Sequence, residues 1–102
     1  MNVCVFKGRA TKDVEIKTVG EKTVGLFSIA VKNGPKTSFF NCAAYGKVAK
    51  SMEGKIKKGS RITVEAKARQ KKFVDKEEKT RSYIDFVVSS WEVDNYKENM
   101  EG

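Results

Sequence analysis

Three aromatic residues of this 102-residue chain, Phe39, Tyr45 and Phe73, stand where the alternation of a strand turns them away from a core. In Phe39-Phe40-Asn41-Cys42-Ala43-Ala44-Tyr45 the positions Phe40, Cys42 and Ala44 form a wholly apolar face, which must be the buried one. Phe39, Asn41, Ala43 and Tyr45 take the opposite face, and Gly46 and Lys47 follow at once. A second alternating run places Ile62, Val64, Ala66 and Ala68 on one side. Arg61, Thr63, Glu65, Lys67, Arg69, Lys71 and Phe73 share the other, and Glu65 is its only acid. Outward rings beside cations suit one chemistry: flat bases stack on the rings while lysine and arginine neutralise a phosphate backbone. Tyr83 is a fourth candidate ring. Lys47, Lys58, Lys67, Arg69, Lys71 and Lys72 are the candidate cations, with Arg9, Lys32, Lys36 and Arg81 as a secondary set. The competing reading has the rings completing a second core or a subunit contact, and the charges keeping a solvated face soluble.

Composition favours the first reading without deciding the fold. A third of the residues are charged and the net charge is +8, a balance that suits an anionic partner such as a nucleic acid or an anionic membrane. No apolar run approaches the roughly 20 residues needed to span a bilayer. The start Met1-Asn2-Val3-Cys4-Val5-Phe6 lacks a basic n-region and a cleavage site, so an intracellular, cytoplasmic location is expected. Cys4 and Cys42 lie in apolar strand-like runs and read as small buried hydrophobes; no histidine is present to complete a metal site with them.

The elements that must position these residues follow from the same periodicities. Val3 to Phe6 reads as a first strand bending at Gly8, and Ala10 to Glu21 as a loop. A second strand rises from about Lys22 with Phe27, Ile29 and Val31 on its core face, and Lys32 to Lys36 form a turn around the only proline. The third strand runs from about Thr37 to Tyr45. The period then changes: Val48, Met52 and Ile56 are spaced four apart, as one helical stripe requires, and two or three turns are expected before Gly59. A fourth strand starts near Arg61. Val74 to Thr80 form a charged hairpin loop, and a fifth strand runs from Arg81 to about Val93 with Ile84, Phe86 and Val88 toward the core and Tyr83 outward. Trp91 is expected against the barrel or a partner subunit. Strand-strand-strand-helix-strand-strand is the order of the OB-fold, a five-stranded Greek-key barrel, so the expected class is all-β with one short helix between the third and fourth strands. Residues 1–94 are expected to form that domain and 95–102 a short C-terminal extension.

The chain also resembles the bacterial and phage single-stranded-DNA-binding protein family over residues 2 to 93. The likeness is carried by Gly8-Arg9-Ala10-Thr11-Lys12-Asp13, Phe27-Ser28-Ile29-Ala30-Val31, the run from Phe39 to Ala49, and Lys58-Gly59-Ser60-Arg61-Ile62-Thr63-Val64-Glu65. It implies an OB-fold that wraps single-stranded DNA with tolerance of sequence, usually as a homotetramer, in replication, recombination and repair. By position, Phe39, Tyr45 and Phe73 match the family's base-stacking aromatics, and Lys47, Lys58 and Lys72 its phosphate-contacting lysines. Two departures stand out. The short turn from Lys32 to Lys36 carries no ring where the family usually has a longer loop with one. The segment from Tyr96 to Gly102 has neither the glycine-rich linker nor the acidic, hydrophobic tip that recruits replication and repair proteins, so a minimal or truncated member is expected.

Enzymatic readings find no support. No serine or cysteine nucleophile has a visible base, no Walker-type loop is present, and Asp75, Glu77 and Glu78 read as turn charges. No cofactor or metal is expected. The rival readings are a tail-less primosomal-type OB-fold protein that bridges replication proteins, an RNA-binding OB module, and a structural subunit whose outer aromatics are an assembly interface; a dimer is the alternative to the tetramer.

Overall fold

In the computed structural model, which describes residues 1–94, the chain forms six strands and one helix. They are β1 (Cys4–Ala10), β2 (Glu15–Val19), β3 (Lys22–Asn33), β4 (Lys36–Tyr45), α1 (Lys47–Met52), β5 (Arg61–Val74) and β6 (Thr80–Val93). Strand order is β1-β5-β6-β4-β3-β2, and an additional β1–β3 pairing closes β1, β5, β6, β4 and β3 into a ring. That ring is the expected five-stranded barrel. Among the described residues no helix is long and apolar enough to cross a membrane.

Closure depends on β1 serving two partners. Cys4 to Arg9 pair with β5, and Arg9 and Ala10 also pair with Ile29 and Ala30 of β3. At the crossing the backbones meet: a Cβ added to Gly8 would lie 2.2 Å from the Ala30 carbonyl oxygen. Only a residue without a side chain fits such an approach. The interior then takes one face of each strand. Ile29, Ile62, Val64, Met52 and Ile56 are its largest fully buried side chains. Phe6, Phe40 and Phe86 pack beside them, with Phe6 stacked on Phe40 at 4.4 Å and edge-on to Phe86 at 4.8 Å between centroids.

Several expectations change in three dimensions. The stretch expected as a loop from Ala10 to Glu21 contains β2, which pairs along β3 from Glu15↔Leu26 to Val19↔Lys22. Only Ile16 of β2 is shielded from solvent, so it shows no apolar alternation, and a two-residue turn at Gly20 (φ 62°) doubles the chain back. The helix is six residues long, little more than one turn and a half. Ile56 lies beyond it and is still fully buried, so the four-residue spacing marked a buried stripe rather than a helix of that length. Cys42 is buried as expected, whereas Cys4 is only half-buried. Ala43, on the outer face by alternation, is 3% exposed; its register neighbours there, Leu26 and Val87, are both larger.

The largest correction concerns β6. Ile84, expected in the core, is 60% exposed. It pairs with Gln70 on a two-stranded arm, where residues 69–74 of β5 and 80–85 of β6 pair only with each other. An arm that leaves the barrel has no interior for either face. Trp91 packs on the barrel, and Ser89 is why. The register passes from Ala66↔Val88 to Glu65↔Ser90, leaving Ser89 as an unpaired bulge residue. The inward set therefore changes from even to odd positions, so Val88 points in and Trp91, opposite Val64, points in as well. The indole N–H of Trp91 donates to Ser51 Oγ at 2.9 Å, tying β6 to the helix.

We expect Gly8→Ala to force β1 off β3 and to lower unfolding stability by about 1–3 kcal/mol, as overpacking does. Urea titration checks this. A midpoint equal to the parent's would show that the two backbones do not approach so closely.

Candidate nucleic-acid interface

The outer face is assembled row by row from the strand registers. Leu26, Ala43, Val87 and Lys67 form one row across β3, β4, β6 and β5. Beyond it β4 and β6 diverge, because their parallel pairing comprises only Cys42↔Phe86 and Ala43↔Val87. A cleft of about 280 Å³ opens there, bordered by Lys12, Ser28, Asn41, Ala43, Tyr83 and Asp85. Ala30 and Phe39 continue the face on β3 and β4. Lys71 pairs with Tyr83, and Phe73 with Arg81, on the arm.

All four candidate rings stay in solvent: Phe39 is 65% exposed, Phe73 47%, Tyr83 46% and Tyr45 38%. Burying any of them elsewhere would have stabilised the chain, so a face carrying four is set apart from ordinary surface. Phe73 and Tyr83 are diagonal neighbours with centroids 5.9 Å apart and planes tilted by 59°, a pair of platforms at the arm. Phe39 stands at the β3–β4 end of the face, and Tyr45 at the end of β4 just before the helix.

Tyr45 does not stand alone. Arg69 Nη2 donates to Tyr45 Oη at 2.8 Å, and its carbon Cζ lies 5.4 Å from the ring centroid. The same guanidinium is held by the buried Asp85, with Nε donating to Oδ1 at 3.0 Å and Nη2 to Oδ2 at 2.8 Å. The fork matches the carboxylate at both oxygens, which fixes the orientation of Arg69 and, through it, the ring. Hydrogen bonding to Arg69 holds the Asp85 carboxyl below the usual carboxylate range, and the same bond raises Arg69 further above its already high value. Burial, aided by the Asp85 charge, pushes the Cys42 thiol up to about 12, so it stays protonated and inert at neutral pH.

The remaining candidates separate into groups. Lys67 and Lys71 lie on the ring-bearing face of β5, alternating with Arg69. Lys47 opens the helix and borders a cleft with Tyr45, Lys22 and Lys50. Lys72 pairs with Ser82 and so takes the opposite face of the arm from Lys71 and Phe73. Lys58 lies in the loop before β5, where its backbone N–H donates to Asp13 Oδ1 at 2.8 Å. Arg9 is on β1, two strands beyond Phe39, and its Nη1 donates to the Gly59 carbonyl at 3.0 Å. Arg81 is paired with Asp75 at 2.7 Å. Among the described residues, none of Lys47, Lys58, Lys67, Lys71 and Lys72 forms an ion pair. Sequence reasoning missed Lys12, which the Thr11 N–H to Ser28 carbonyl bond (2.9 Å) brings to the mouth of the central cleft. It also missed Asp85, whose partner is sixteen positions away.

Because the folded Asp85 has the lower pKa, its contribution to stability is complete above the unfolded value near 4 and is lost as pH falls through the folded value. We expect Asp85→Asn to cost about 1–2 kcal/mol at pH 7, discounted for the partly exposed guanidinium, and to flatten the fall in Tm below about pH 4. Thermal melts across pH check this; identical profiles for parent and variant would show the pair to be energetically idle.

Comparison with known proteins adds an independent finding. The Single-strand binding protein family matches residues 1–94. The chain is 32% identical over 95 residues to a single-stranded DNA-binding protein of Fusobacterium nucleatum subsp. nucleatum, with 82% of this chain and 61% of that protein covered. It is also 32% identical over 97 residues to a single-stranded DNA-binding protein of Clostridium perfringens, covering 90% of this chain and 65% of the relative. With single-stranded DNA-binding protein 2 of Listeria monocytogenes serovar 1/2a it shares 31% identity over 97 residues, 87% of this chain and 60% of the relative. The chain thus spans about three fifths of the length of the curated relatives it matches. With a family match that runs the length of the closed barrel, the chain belongs to the single-strand binding protein family.

Proposed function

We propose that this protein binds single-stranded DNA with little regard to sequence and shields it during replication, recombination and repair. The observation that carries this reading is the shared outer face on which Phe39, Tyr45, Phe73 and Tyr83 all remain exposed beside Lys67 and Lys71. Bases unstacked from a duplex have two open π-faces, and each ring offers one a partner at about 1–3 kcal/mol per base. Any base satisfies the ring, so the contact carries no code. The cations act on the backbone: Lys67, Lys71, Lys47, Lys58, Lys72 and Arg9 replace counterions condensed on the phosphates. Arg69 is the exception, since Asp85 already neutralises it; its role is to present Tyr45.

The same reading includes assembly. A homotetramer is the arrangement that the family likeness implies, with a dimer as the alternative. In support, among the described residues the edge of β1 before Arg9 has no strand partner on its β3 side, and Val3 and Val5 beside it are exposed. The chain acts by binding and performs no reaction. Its place of action is the bacterial cytoplasm or nucleoid, or a phage-infected cell, with single-stranded DNA as its partner.

Phe73→Ala should weaken oligo-dT binding by about 1–3 kcal/mol without changing the melting temperature, and Phe39→Ala should do the same. Fluorescence titration against dT and mixed-sequence oligomers, at several salt concentrations, is the measurement. Full binding by Phe73→Ala together with an oligomer broken by Phe39→Ala would hand the rings to assembly instead. Tighter binding of rA than of dA oligomers would transfer the function to RNA, because the 2′-hydroxyl is the difference between them.

A further inference from the structure

The barrel carries a second feature that the rings do not account for. On the β1 side lies a cleft of about 540 Å³, bordered by Lys7, Gly8, Arg9, Ala30, Lys32, Thr37 and Arg61. Four of these seven residues are cations and none is an acid. One of the four, Lys7, forms an ion pair with Asp94 at 3.5 Å. Arg9 donates one guanidinium N–H to the Gly59 carbonyl, and no carboxylate of the described residues pairs with Arg9, Lys32 or Arg61.

Two facts give this cluster direction. Arg9 and Arg61 are directly opposite each other in the β1–β5 register. Like charges in that position repel and destabilise the sheet, so the free protein carries a strain that an anion lying between them would relieve. The cleft is also continuous with the ring-bearing face. Phe39 pairs with Ala30, and Ala30 pairs with Arg9. One step along the sheet therefore leads from the outermost ring to the cleft wall, and two strand spacings, roughly 10 Å, to Arg9.

We infer that this cleft is an extension of the nucleic-acid path, a phosphate-binding subsite in which Arg61, with Arg9, Lys32 and Lys7, grips the backbone of a strand leaving Phe39. The inference rests on the single-strand-binding reading and adds a route to it. The strand crosses from the arm over β6, β4 and β3 and turns onto β1. Bases stack on rings in the first part of that route, and only phosphates are held in the second, where no aromatic lines the wall.

Charge reversal at one residue tests this. Arg61→Glu turns the repulsive Arg9–Arg61 pair into an attractive one, so the variant should melt at the parent's temperature or above it. Oligo-dT of about 5 nucleotides and of about 15 spans the range that one OB fold covers. The short strand, held by the rings, should bind the variant and the parent alike. The long strand should bind the variant about tenfold more weakly, with a salt slope smaller by about 0.7 or more. Arg61→Gln, which only removes charge, should lie between them and guards against a reversal that impairs folding. Equal long-strand affinity and slope in parent and variants would overturn the subsite and leave the stacking face standing. Equal losses at both lengths would overturn it too, by making Arg61 part of the ring site. Unchanged dT binding with lost binding to phosphatidylserine vesicles would reassign the cleft to a membrane. If the parent binds neither oligomer, the single-strand reading itself falls, and the subsite with it.

Discussion

The structure depends on one close approach, that of the Gly8 backbone to the carbonyl of Ala30. It lets β1 leave β5 and join β3 within a few residues, which closes the ring. A closed ring has one small interior, and that interior accepts only one face of each strand. Phe6, Phe40 and Phe86 fill the space beside the buried aliphatics. The buried residues described form a single cluster, and Phe39 and Tyr45 lie outside it. The outward rings thus follow from closure as well as from alternation.

Closure also explains why the arm differs from the barrel. Once β5 and β6 pass the reach of β1 and β4, both faces of the hairpin meet solvent, and Val74 and Ile84 are exposed along with Phe73 and Tyr83. Two-stranded hairpins are marginal by themselves. This one is braced at its base by the Arg69–Asp85 fork, at its tip by the Arg81–Asp75 ion pair, and at its turn by Asp75 accepting backbone N–H bonds from Glu77 and Lys79. Phe73 and Tyr83 therefore stand on a hairpin outside the barrel, whereas Phe39 stands on a barrel strand, opposite Ala30 of β3.

The electrostatics divide the outer surface into two kinds of cation. Arg69 and Arg81 are spent on protein carboxylates and serve geometry. Lys67, Lys71 and the Arg9–Arg61 group have no such partner among the described residues, and the last is arranged against its own stability.

Alternation in Phe39–Tyr45 and Ile62–Ala68 was enough to sort most inward from outward residues, because side-chain direction along a strand is a local property with a period of two. The helix after Gly46 and the turn at Gly34-Pro35 were legible for the same local reason, and so was the family likeness. Other features rest on where one segment meets another. The Ser89 bulge, which brings Trp91 inward, appears only against β5. Strand β2 exists because β3 offers it an edge, and Ile84 is exposed because the arm outruns the barrel. Asp85 under Arg69, Lys12 at the central cleft, and Arg61 across from Arg9 bring together residues sixteen to more than fifty positions apart. What the chain determined by itself was the alternation of faces within each barrel run; where that alternation slips, and which outward residues become neighbours, was decided by ring closure, since register between distant strands is set by the completed barrel and by no short stretch of it.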